Sequence, residues 1–203
     1  MAFDYDDILT GIWRTLSRGV ADAKHDWHWP VLGTIQTAPE GLQSCSRIVV
    51  LRAFDASTRL IEIHSDSRAQ KIAQLQLGSE SGTGSDTQSG SASLLFYDAR
   101  SRTQVRVQAT ASVAIDNAIS QAAWNKLPEH GRTQYLGLNA PGTALSEAPQ
   151  GEALVLGTKA HFAVIHLTIE SIDWLVLARE GHQRARFVWD KNTGKHATYP
   201  LVP

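Results

Sequence analysis

The sequence predicts a mainly β fold, a six-stranded antiparallel Greek-key barrel with helices at its periphery. Three observations support this prediction. Six or seven short segments have strand-like composition or alternate apolar with polar residues. Polar loops of hairpin length join several of them. Helical periodicity is confined to a few segments, so few parallel crossovers are available and a doubly wound sheet is disfavoured.

Residues 4–19 are predicted to form an amphipathic helix at the start of the chain. Apolar residues recur there at spacings of three and four, and several acids precede the first turn, where the helix dipole favours negative charge. The apolar residues are Ile8, Leu9, Ile12, Trp13, Leu16 and Val20. We expect this helix to pack against a wall of the barrel.

The next segment predicts three strands and a helix. The strands are Val31–Gln36, Ser46–Phe54 (SRIVVLRAF) and Arg59–His64 (RLIEIH), and the last two are joined by the polar loop Asp55–Thr58. Helical spacing returns over Ser67–Leu77. This order indicates antiparallel pairing followed by a short helix.

Residues 78–93 form the only low-complexity stretch, in which twelve of sixteen residues are Gly, Ser or Thr. Such a composition buries too little apolar surface to offset the entropy lost on ordering. We therefore predict a flexible loop inserted within one domain.

The second half of the chain predicts four further strands and two helical segments. Asp116 is the expected N-cap of a helix ending at Trp124, and Pro128 opens a second helical segment that reaches Tyr135. Residues Asn139–Gln150 are expected to form an extended connection. The strand candidates are Leu94–Asp98, Thr103–Val113, Phe162–Ala178 and Arg184–Asp190.

Length, charge and cysteine content exclude several classes of protein. The 203 residues suit one domain, residues 1–203. The net charge of −1 disfavours a partner that is nucleic acid or an anionic membrane. The single cysteine, Cys45, cannot form an internal disulfide, and no apolar segment is long enough to span a bilayer. A cytoplasmic location fits these features best.

No catalytic or metal-binding motif is recognisable in the sequence. HExxH, GxSxG, Walker and CxxC patterns are all missing, and the eight histidines are dispersed. The sequence therefore predicts no metal site.

Basic residues suggest an anion site instead. Arg68 and Lys71 lie three residues apart at the start of a predicted helix, where backbone N–H groups favour a phosphate, although two solvated side chains would show the same spacing. Arg47 and Arg52 bracket an apolar strand and point to opposite faces unless the strand is bent.

Two later strands carry polar residues on one face. Gln104 and Arg106 share a face and could bind a planar ligand or simply contact water. His182, Arg184 and Arg186 alternate, so three potential cations would share a face and require either acidic side chains or an anionic ligand.

The order of these segments resembles the FMN-binding split-barrel family of pyridoxamine 5′-phosphate oxidase, in its oxidase-related branch. The likeness covers about residues 30–203. The segments that carry it are Arg47–Arg52 (RIVVLR), Ile63–Asp66 (IHSD), Arg68 with Lys71, Leu94–Asp98 (LLFYD), Arg102–Val107 (RTQVRV), Trp124, Arg132–Tyr135 (RTQY), Pro141–Gly142, Ile172–Leu175 (IDWL) and Gly181–Phe187 (GHQRARF).

The resemblance implies a six-stranded split β-barrel that dimerises and binds FMN in clefts at the subunit interface. It also implies that Lys71 contacts the FMN phosphate and that Gln104 reaches the flavin from the partner subunit. The implied FMN-binding residues are Arg47, Val50, Leu51, Arg52, His64, Ser65, Arg68, Lys71, Gln104, Trp174 and Arg186.

The substrate side departs from the family pattern. The family has an arginine followed two residues later by a histidine, whereas this chain has His182 and then Arg184. Arg52 replaces a lysine, and Arg132 is the one plausible counterpart of the residues that hold the substrate phosphate. The implied substrate-binding residues are therefore Arg52, Arg132, His182 and Arg184.

Three functions remain open at this point. The first is a cytoplasmic homodimeric FMN oxidoreductase that transfers two electrons through flavin N5 to or from a small anionic substrate. The second is oxidation of pyridoxamine or pyridoxine phosphate itself. The third is non-catalytic binding of flavin, haem or a deazaflavin.

Overall fold

Nine antiparallel strands form one sheet in the part of the chain that the structure, a computed structural model, describes: residues 4–76, 89–144, 160–179 and 181–203. The helices are α1 (Tyr5–Ala21), α2 (Gln70–Gln76), α3 (Ala118–Lys126) and α4 (Glu129–Arg132), with single 3-10 turns at Asp26–His28 and Thr133–Tyr135. The strands are β1 (Val31–Ala38), β2 (Gly41–Ile48), β3 (Ala53–Asp55), β4 (Leu60–Asp66), β5 (Ser89–Asp98), β6 (Thr103–Ile115), β7 (Phe162–Val176), β8 (Gln183–Trp189) and β9 (His196–Leu201).

The strands follow the order β2-β1-β5-β6-β7-β4-β3, and β8 pairs with both β7 and β9. Every pair is antiparallel. The expectation of a mainly β, antiparallel fold with few helices is therefore confirmed. The described residues contain nine strands rather than six, and the path of paired strands is open.

The ends of this path, β2 and β3, are joined by residues 49–52. The Val49 N–H donates to the carbonyl of Pro30 at 2.9 Å, and the Leu51 N–H donates to that of His28 at 3.0 Å. The Arg52 N–H then donates to the carbonyl of Glu62 at 2.9 Å. The prediction of one continuous strand over Ser46–Phe54 is wrong, because the chain leaves β2 here and crosses from β1 towards β4.

One main core lies beneath the sheet, and α1 covers part of it. Asp4 caps α1 by accepting hydrogen bonds from the backbone N–H groups of Asp6 and Asp7, so the helix expected over residues 4–19 lies at Tyr5–Ala21. Its apolar face buries Leu9, Ile12 and Leu16 against residues of β1, β4, β5, β6 and β7. A second, smaller cluster lies under α3 and contains Ala114, Ala123, Tyr135, Phe162 and Val164.

Two strand segments are missing from the sequence prediction because their composition is polar or small. Residues 41–45 of β2 are mostly exposed on both faces and therefore lack apolar alternation. Residues 89–93, expected to belong to the loop over 78–93, form the first half of β5. Residues 78–88 of that predicted loop lie outside the described residues.

Chain ends and caps also differ from the prediction. Residues 196–201, which no predicted strand covers, form β9, which pairs with β8. Asn117 rather than Asp116 caps α3, because its side chain accepts from the N–H groups of Ile119 and Ser120. Asp116 instead adopts φ 51° at the preceding turn. None of the described helices has the length and apolar character required to cross a membrane.

Gly90 allows β5 to pass close to the end of α2. A Cβ atom at Gly90 would lie 1.8 Å from the carbonyl oxygen of Leu75, a backbone atom that cannot rotate away. Only glycine fits this close approach.

We expect Gly90→Ala to lower the free energy of unfolding by about 2–3 kcal/mol, because the strand or α2 must shift. Gly11→Ala is the matched control: Gly11 lies within α1 with no atom within 4 Å of its added Cβ, and the change should raise stability by about 0.5–1 kcal/mol. Urea unfolding of both variants measures the difference. Equal stability of the Gly90→Ala variant and the wild type would contradict the close approach.

Candidate functional site

Basic and hydroxyl side chains meet where β4 ends and α2 begins. The Lys71 ammonium donates to the Ser65 hydroxyl at 3.0 Å, and that hydroxyl donates to the carbonyl of Asp66 at 3.0 Å. Arg47, on β2, donates to the Gln74 side-chain oxygen at 2.7 Å and to the Thr34 hydroxyl. α2 packs on β1, β5 and β6, and its Gln74 contacts Arg47, so Lys71 and Arg47 lie in one region.

Lys71 and Arg47 carry like charges in a partly desolvated place. Burial lowers the pKa of Lys71, and the positive charge of Arg47 lowers it further, while the carboxylate of Asp66 acts in the opposite direction. Such a pair of like charges is unfavourable in isolation, because the effect of Asp66 does not offset the burial of Lys71 and its repulsion from Arg47. An anionic group placed between the two cations would stabilise both.

Arg68 is held by Asp66 and by the loop after α4. Its guanidinium contacts both carboxylate oxygens of Asp66, at 3.1 and 2.8 Å. It also donates to the carbonyls of Gly137, Leu138 and Asn139 at 2.8–3.2 Å. Arg68 precedes α2 rather than lying within it, so the predicted helix start at Ser67 is wrong. The reason is that Asp66 accepts the Arg68 N–H and forms a turn there.

The segment that joins β2 to β3 contributes mainly backbone to this region. Leu51 is fully buried, Val50 is half-buried and Arg52 is exposed. Arg52 lies close to Tyr135: burial raises the pKa of the Tyr135 phenol, and the charge and hydrogen bond of Arg52 oppose that shift. Arg47 and Arg52 therefore extend from different local structures, as expected if the strand is interrupted.

His64 lies on the opposite face of β4 from Ser65. Its Nε2 is 2.9 Å from one oxygen of Glu62, and Nε2 of His166, on β7, is 3.2 Å from the other. Hydrogen bonds from His166 and His64 lower the pKa of Glu62 to about 2, against the effect of burial. The His64 ring also packs edge-on against Phe162 at 4.9 Å. Glu62 therefore fixes the orientation of His64.

A second group of cations surrounds Asp173 on β7. Arg184 donates to both oxygens of this carboxylate at 3.0 and 2.9 Å. Arg106 and Arg186, on β6 and β8, each donate to Oδ2 at 3.0 and 3.2 Å. Burial raises the pKa of Asp173, but hydrogen bonds from Arg184 and Arg186 and the charge of Arg106 lower it overall. A carboxylate thus forms ion pairs with the arginines that the sequence places on one face.

The remaining predicted residues form no side-chain hydrogen bond with either group in the part of the chain that the structure describes. Gln104 shares a face with Arg106, as predicted, and Trp174 packs at the edge of the main core. His182 is exposed and lies one residue before β8, the strand that carries Arg184 and Arg186. Arg132 packs over the Trp124 ring at 5.6 Å and donates to the carbonyl of Asn125.

Within one chain, the predicted site residues form two groups rather than one. Arg47, Ser65 and Lys71 lie around β4 and α2, whereas Arg184 and Arg186 lie on β8. Across the described residues, no hydrogen bond or ion pair joins the two groups, and no cluster of three or more potential metal ligands occurs.

Sequence reasoning missed the acids and amides that hold these cations. They are Glu62, Asp66, Gln74 and Asp173. Two of them were recognisable in principle, because Glu62 and Asp173 each interrupt an apolar strand segment. A carboxylate in such a position requires a cationic or hydrogen-bonding partner.

Comparison with known proteins identifies the family. Residues 11–115 match the model described as pyridoxamine 5′-phosphate oxidase, FMN-binding domain. The chain belongs to this family. The matched region contains β1–β6 and α2, and therefore Arg47, Ser65 and Lys71, and the domain that it defines is an FMN-binding domain. None of the curated proteins is significantly similar to the chain.

Two solved structures share the fold. A pyridoxamine 5′-phosphate oxidase-related, FMN-binding protein from Nostoc punctiforme PCC 73102 has 19% sequence identity and a TM-score of 0.70, over 96% of each chain. PhzG from Burkholderia lata 383, solved in complex with tetrahydrophenazine-1-carboxylic acid, has 15% identity and a TM-score of 0.68, over 100% of this chain and 98% of the other.

We expect the ionised Glu62 to make stability depend on pH in the acid range. Its pKa is about 2 when folded, below the ordinary value of 4.5. The unfolded chain therefore binds the proton first, and the contribution of Glu62 is complete above pH 4.5 and is lost as the pH falls towards 2. After allowance for partial exposure, the loss is on the order of 1–2 kcal/mol.

Urea unfolding of the wild type and Glu62→Gln across this range measures the contribution. The wild type should lose more stability than Glu62→Gln, because only the wild type retains the carboxylate. Glu129→Gln, an exposed glutamate on α4, should follow the wild type. Parallel curves for wild type and Glu62→Gln would contradict the role of Glu62.

Proposed function

We propose that this chain is an FMN-dependent oxidoreductase that holds the FMN phosphate with Lys71, Ser65 and Arg47. The observation that carries the proposal is the partly desolvated pair of Lys71 and Arg47, beside a hydroxyl 3.0 Å from the lysine. A phosphate dianion offers acceptor oxygens and the negative charge that this pair lacks. The donor set therefore fits the phosphate of FMN.

Bound FMN supplies two-electron chemistry through the flavin ring. The chain's own residues bind and orient it. The backbone of residues 50–52 is proposed to lie along the ring. His64 is proposed to contact the cofactor with its ring held by Glu62 and Phe162. Arg68 contributes through the loop carbonyls that it anchors, because its guanidinium already contacts Asp66.

A homodimer would bring the two groups of cations together. Strand pairing aligns Ile48, Val31, Leu95, Arg106, Asp173, Arg186 and Tyr199 in one row across the sheet. We call this the outer row. Ile48, Leu95 and Tyr199 are exposed at 66%, 37% and 51%. We propose that a second copy covers these apolar side chains, and that Gln104 and Arg186 then face the FMN of the partner, whereas Trp174 lies on the core-facing side of β7.

We extend the proposal to the residues that contact the substrate, to the closure of the sheet into a barrel and to the cellular location. A small anionic substrate would contact Arg52, Arg132, His182 and Arg184, in a cytoplasmic protein made of one domain. The sheet would correspond to a split barrel, because residues 49–52 hydrogen bond to residues just before β1 and to β4, the strands next to the two ends of the open path.

A non-catalytic flavin carrier is the second candidate. The observation that favours it is that Asp173 already neutralises part of the charge of Arg184 and Arg186, the arginines expected at the substrate.

Mass spectrometry of the ligand released on denaturation identifies the bound group. Reoxidation of the reduced flavin by a substrate would favour the enzyme, and hydrogen peroxide release from pyridoxamine or pyridoxine phosphate would identify the vitamin B6 reaction.

We expect Lys71→Ala to weaken FMN binding by about tenfold or more, since a charge-assisted hydrogen bond contributes about 1.5–3 kcal/mol. Riboflavin, which lacks the phosphate, should bind both proteins equally. Quenching of flavin fluorescence measures both affinities. Lys126→Ala, an exposed lysine on α3, is the control and should bind FMN as the wild type does. Unchanged FMN affinity in Lys71→Ala would contradict the phosphate assignment.

We expect Leu95→Arg to weaken dimerisation, because it adds a charge to the outer row beside Arg106. Sedimentation velocity should show a dimer for the wild type and a shift towards monomer for the variant. Ile119→Arg is the matched control, since Ile119 is 46% exposed on α3 and is not part of the outer row. A wild-type chain that is monomeric while saturated with FMN would refute the interfacial site.

A further inference from the structure

The centre of the outer row carries more positive than negative charge. Three guanidinium groups, from β6 and β8, contact one carboxylate at 2.9–3.2 Å. Among the described residues, all ion pairs of Arg106, Arg184 and Arg186 end on Asp173. The cluster therefore has a surplus of two positive charges.

The three arginines differ in how strongly Asp173 engages them. Arg184 forms two hydrogen bonds with the carboxylate, and its side chain is 25% exposed. Arg106 and Arg186 each form one, through a single terminal nitrogen, and their side chains are 47% exposed. Because a guanidinium has five N–H donors, most donors of Arg106 and Arg186 have no acceptor among the described residues.

Arg106 and Arg186 lie close together on the sheet. Both donate to the same oxygen of Asp173, at 3.0 and 3.2 Å, so their donor nitrogens are no more than the sum of these distances apart. They lie on either side of Asp173 in register, on β6 and β8. One small anion with several oxygens can contact both guanidinium groups at once.

We propose that Arg106 and Arg186, with Arg184 behind them, form a binding site for a dianionic group of the phosphate class, and that Asp173 sets its charge preference. This inference rests on the proposed function and specifies the class of anion that binds at the outer row. A dianion matches the surplus of two charges. A monoanion carries half the charge into the same net positive field, so its attraction to the cluster is smaller and it binds more weakly.

Asp173 has two opposed effects on such a ligand. It holds the three guanidinium groups together, which otherwise repel one another. It also competes with the ligand for their N–H donors, because a carboxylate and a phosphate accept the same hydrogen bonds. Removal of its charge therefore destabilises the ligand-free protein and strengthens anion binding.

Inorganic phosphate, at about pH 8 where a phosphate group carries nearly two negative charges, is the probe, and acetate is the monoanionic comparison. The Nε–H NMR signals of the three arginines, assigned with the variants, report binding at this site separately from Lys71. We expect saturable shifts with phosphate and much smaller shifts with acetate. Arg106→Gln and Arg186→Gln should each weaken phosphate binding about threefold, and Arg14→Gln, an exposed arginine of α1, should not.

Asp173→Asn tests the competition directly. It should lower the melting temperature of the phosphate-free protein, bind phosphate at least threefold more tightly and gain more thermal stability from phosphate than the wild type. Weaker phosphate binding by the folded variant would overturn the role of Asp173. Should Asp173→Asn fail to fold, the two arginine variants still decide the proposal.

The site itself is refuted if phosphate leaves the Arg106 and Arg186 signals unchanged, or if both arginine variants bind phosphate as the wild type does. FMN titration of the same samples tests the proposed function separately, because that readout depends on flavin fluorescence. Phosphate-induced shifts that persist in the FMN-saturated protein would identify a second anionic ligand, because the FMN phosphate is assigned to Lys71. Displacement of phosphate by FMN but not by riboflavin would place the FMN phosphate at the arginines, which supports the anion site and contradicts the Lys71 assignment.

Discussion

The pairing of β7 with three other strands is the constraint on which the rest of the structure depends. This strand runs over fifteen residues, pairs with β6 over almost its whole length, with β4 through its first half and with β8 through its second half. Its inward side chains are buried in the main core and its first residues in the smaller cluster under α3. The same strand carries His166 and Asp173. The strand pairing that buries the core therefore also positions the contact of His166 with Glu62 and the contacts of Asp173 with the arginines.

Buried or half-buried carboxylates organise the cations of this chain. Glu62 holds two histidines, Asp66 holds Arg68, and Asp173 holds three arginines. Each carboxylate fixes side chains that would otherwise sample many rotamers. Lys71 and Arg47 differ, because hydroxyl and amide oxygens rather than a carboxylate accept their hydrogen bonds. That difference is the physical reason for placing the cofactor phosphate beside Lys71.

A net charge of −1 conceals these local imbalances. A protein surface can be almost neutral overall and still present a strongly cationic patch, because charge interactions are screened within about a Debye length. The positive surplus on the outer row also bears on the proposed dimer. Two copies that meet through this face would bring like charges together, and an anionic ligand between them would reduce the repulsion.

The sequence by itself determined the mainly β class, α1, the long alternating strand β6 and the shared face of Gln104 and Arg106, because periodicity and composition are local properties. The basic residues of the proposed site were also singled out from the sequence. Only the tertiary structure decided that the chain breaks after Ile48, since Val49 and Leu51 hydrogen bond to residues 28–30 and not along a ladder. Only the tertiary structure showed that Asp173 forms ion pairs with the arginines of β6 and β8, and that Lys71 lies near Arg47. These contacts join residues far apart in the chain, and no local pattern encodes which cation a buried acid will meet.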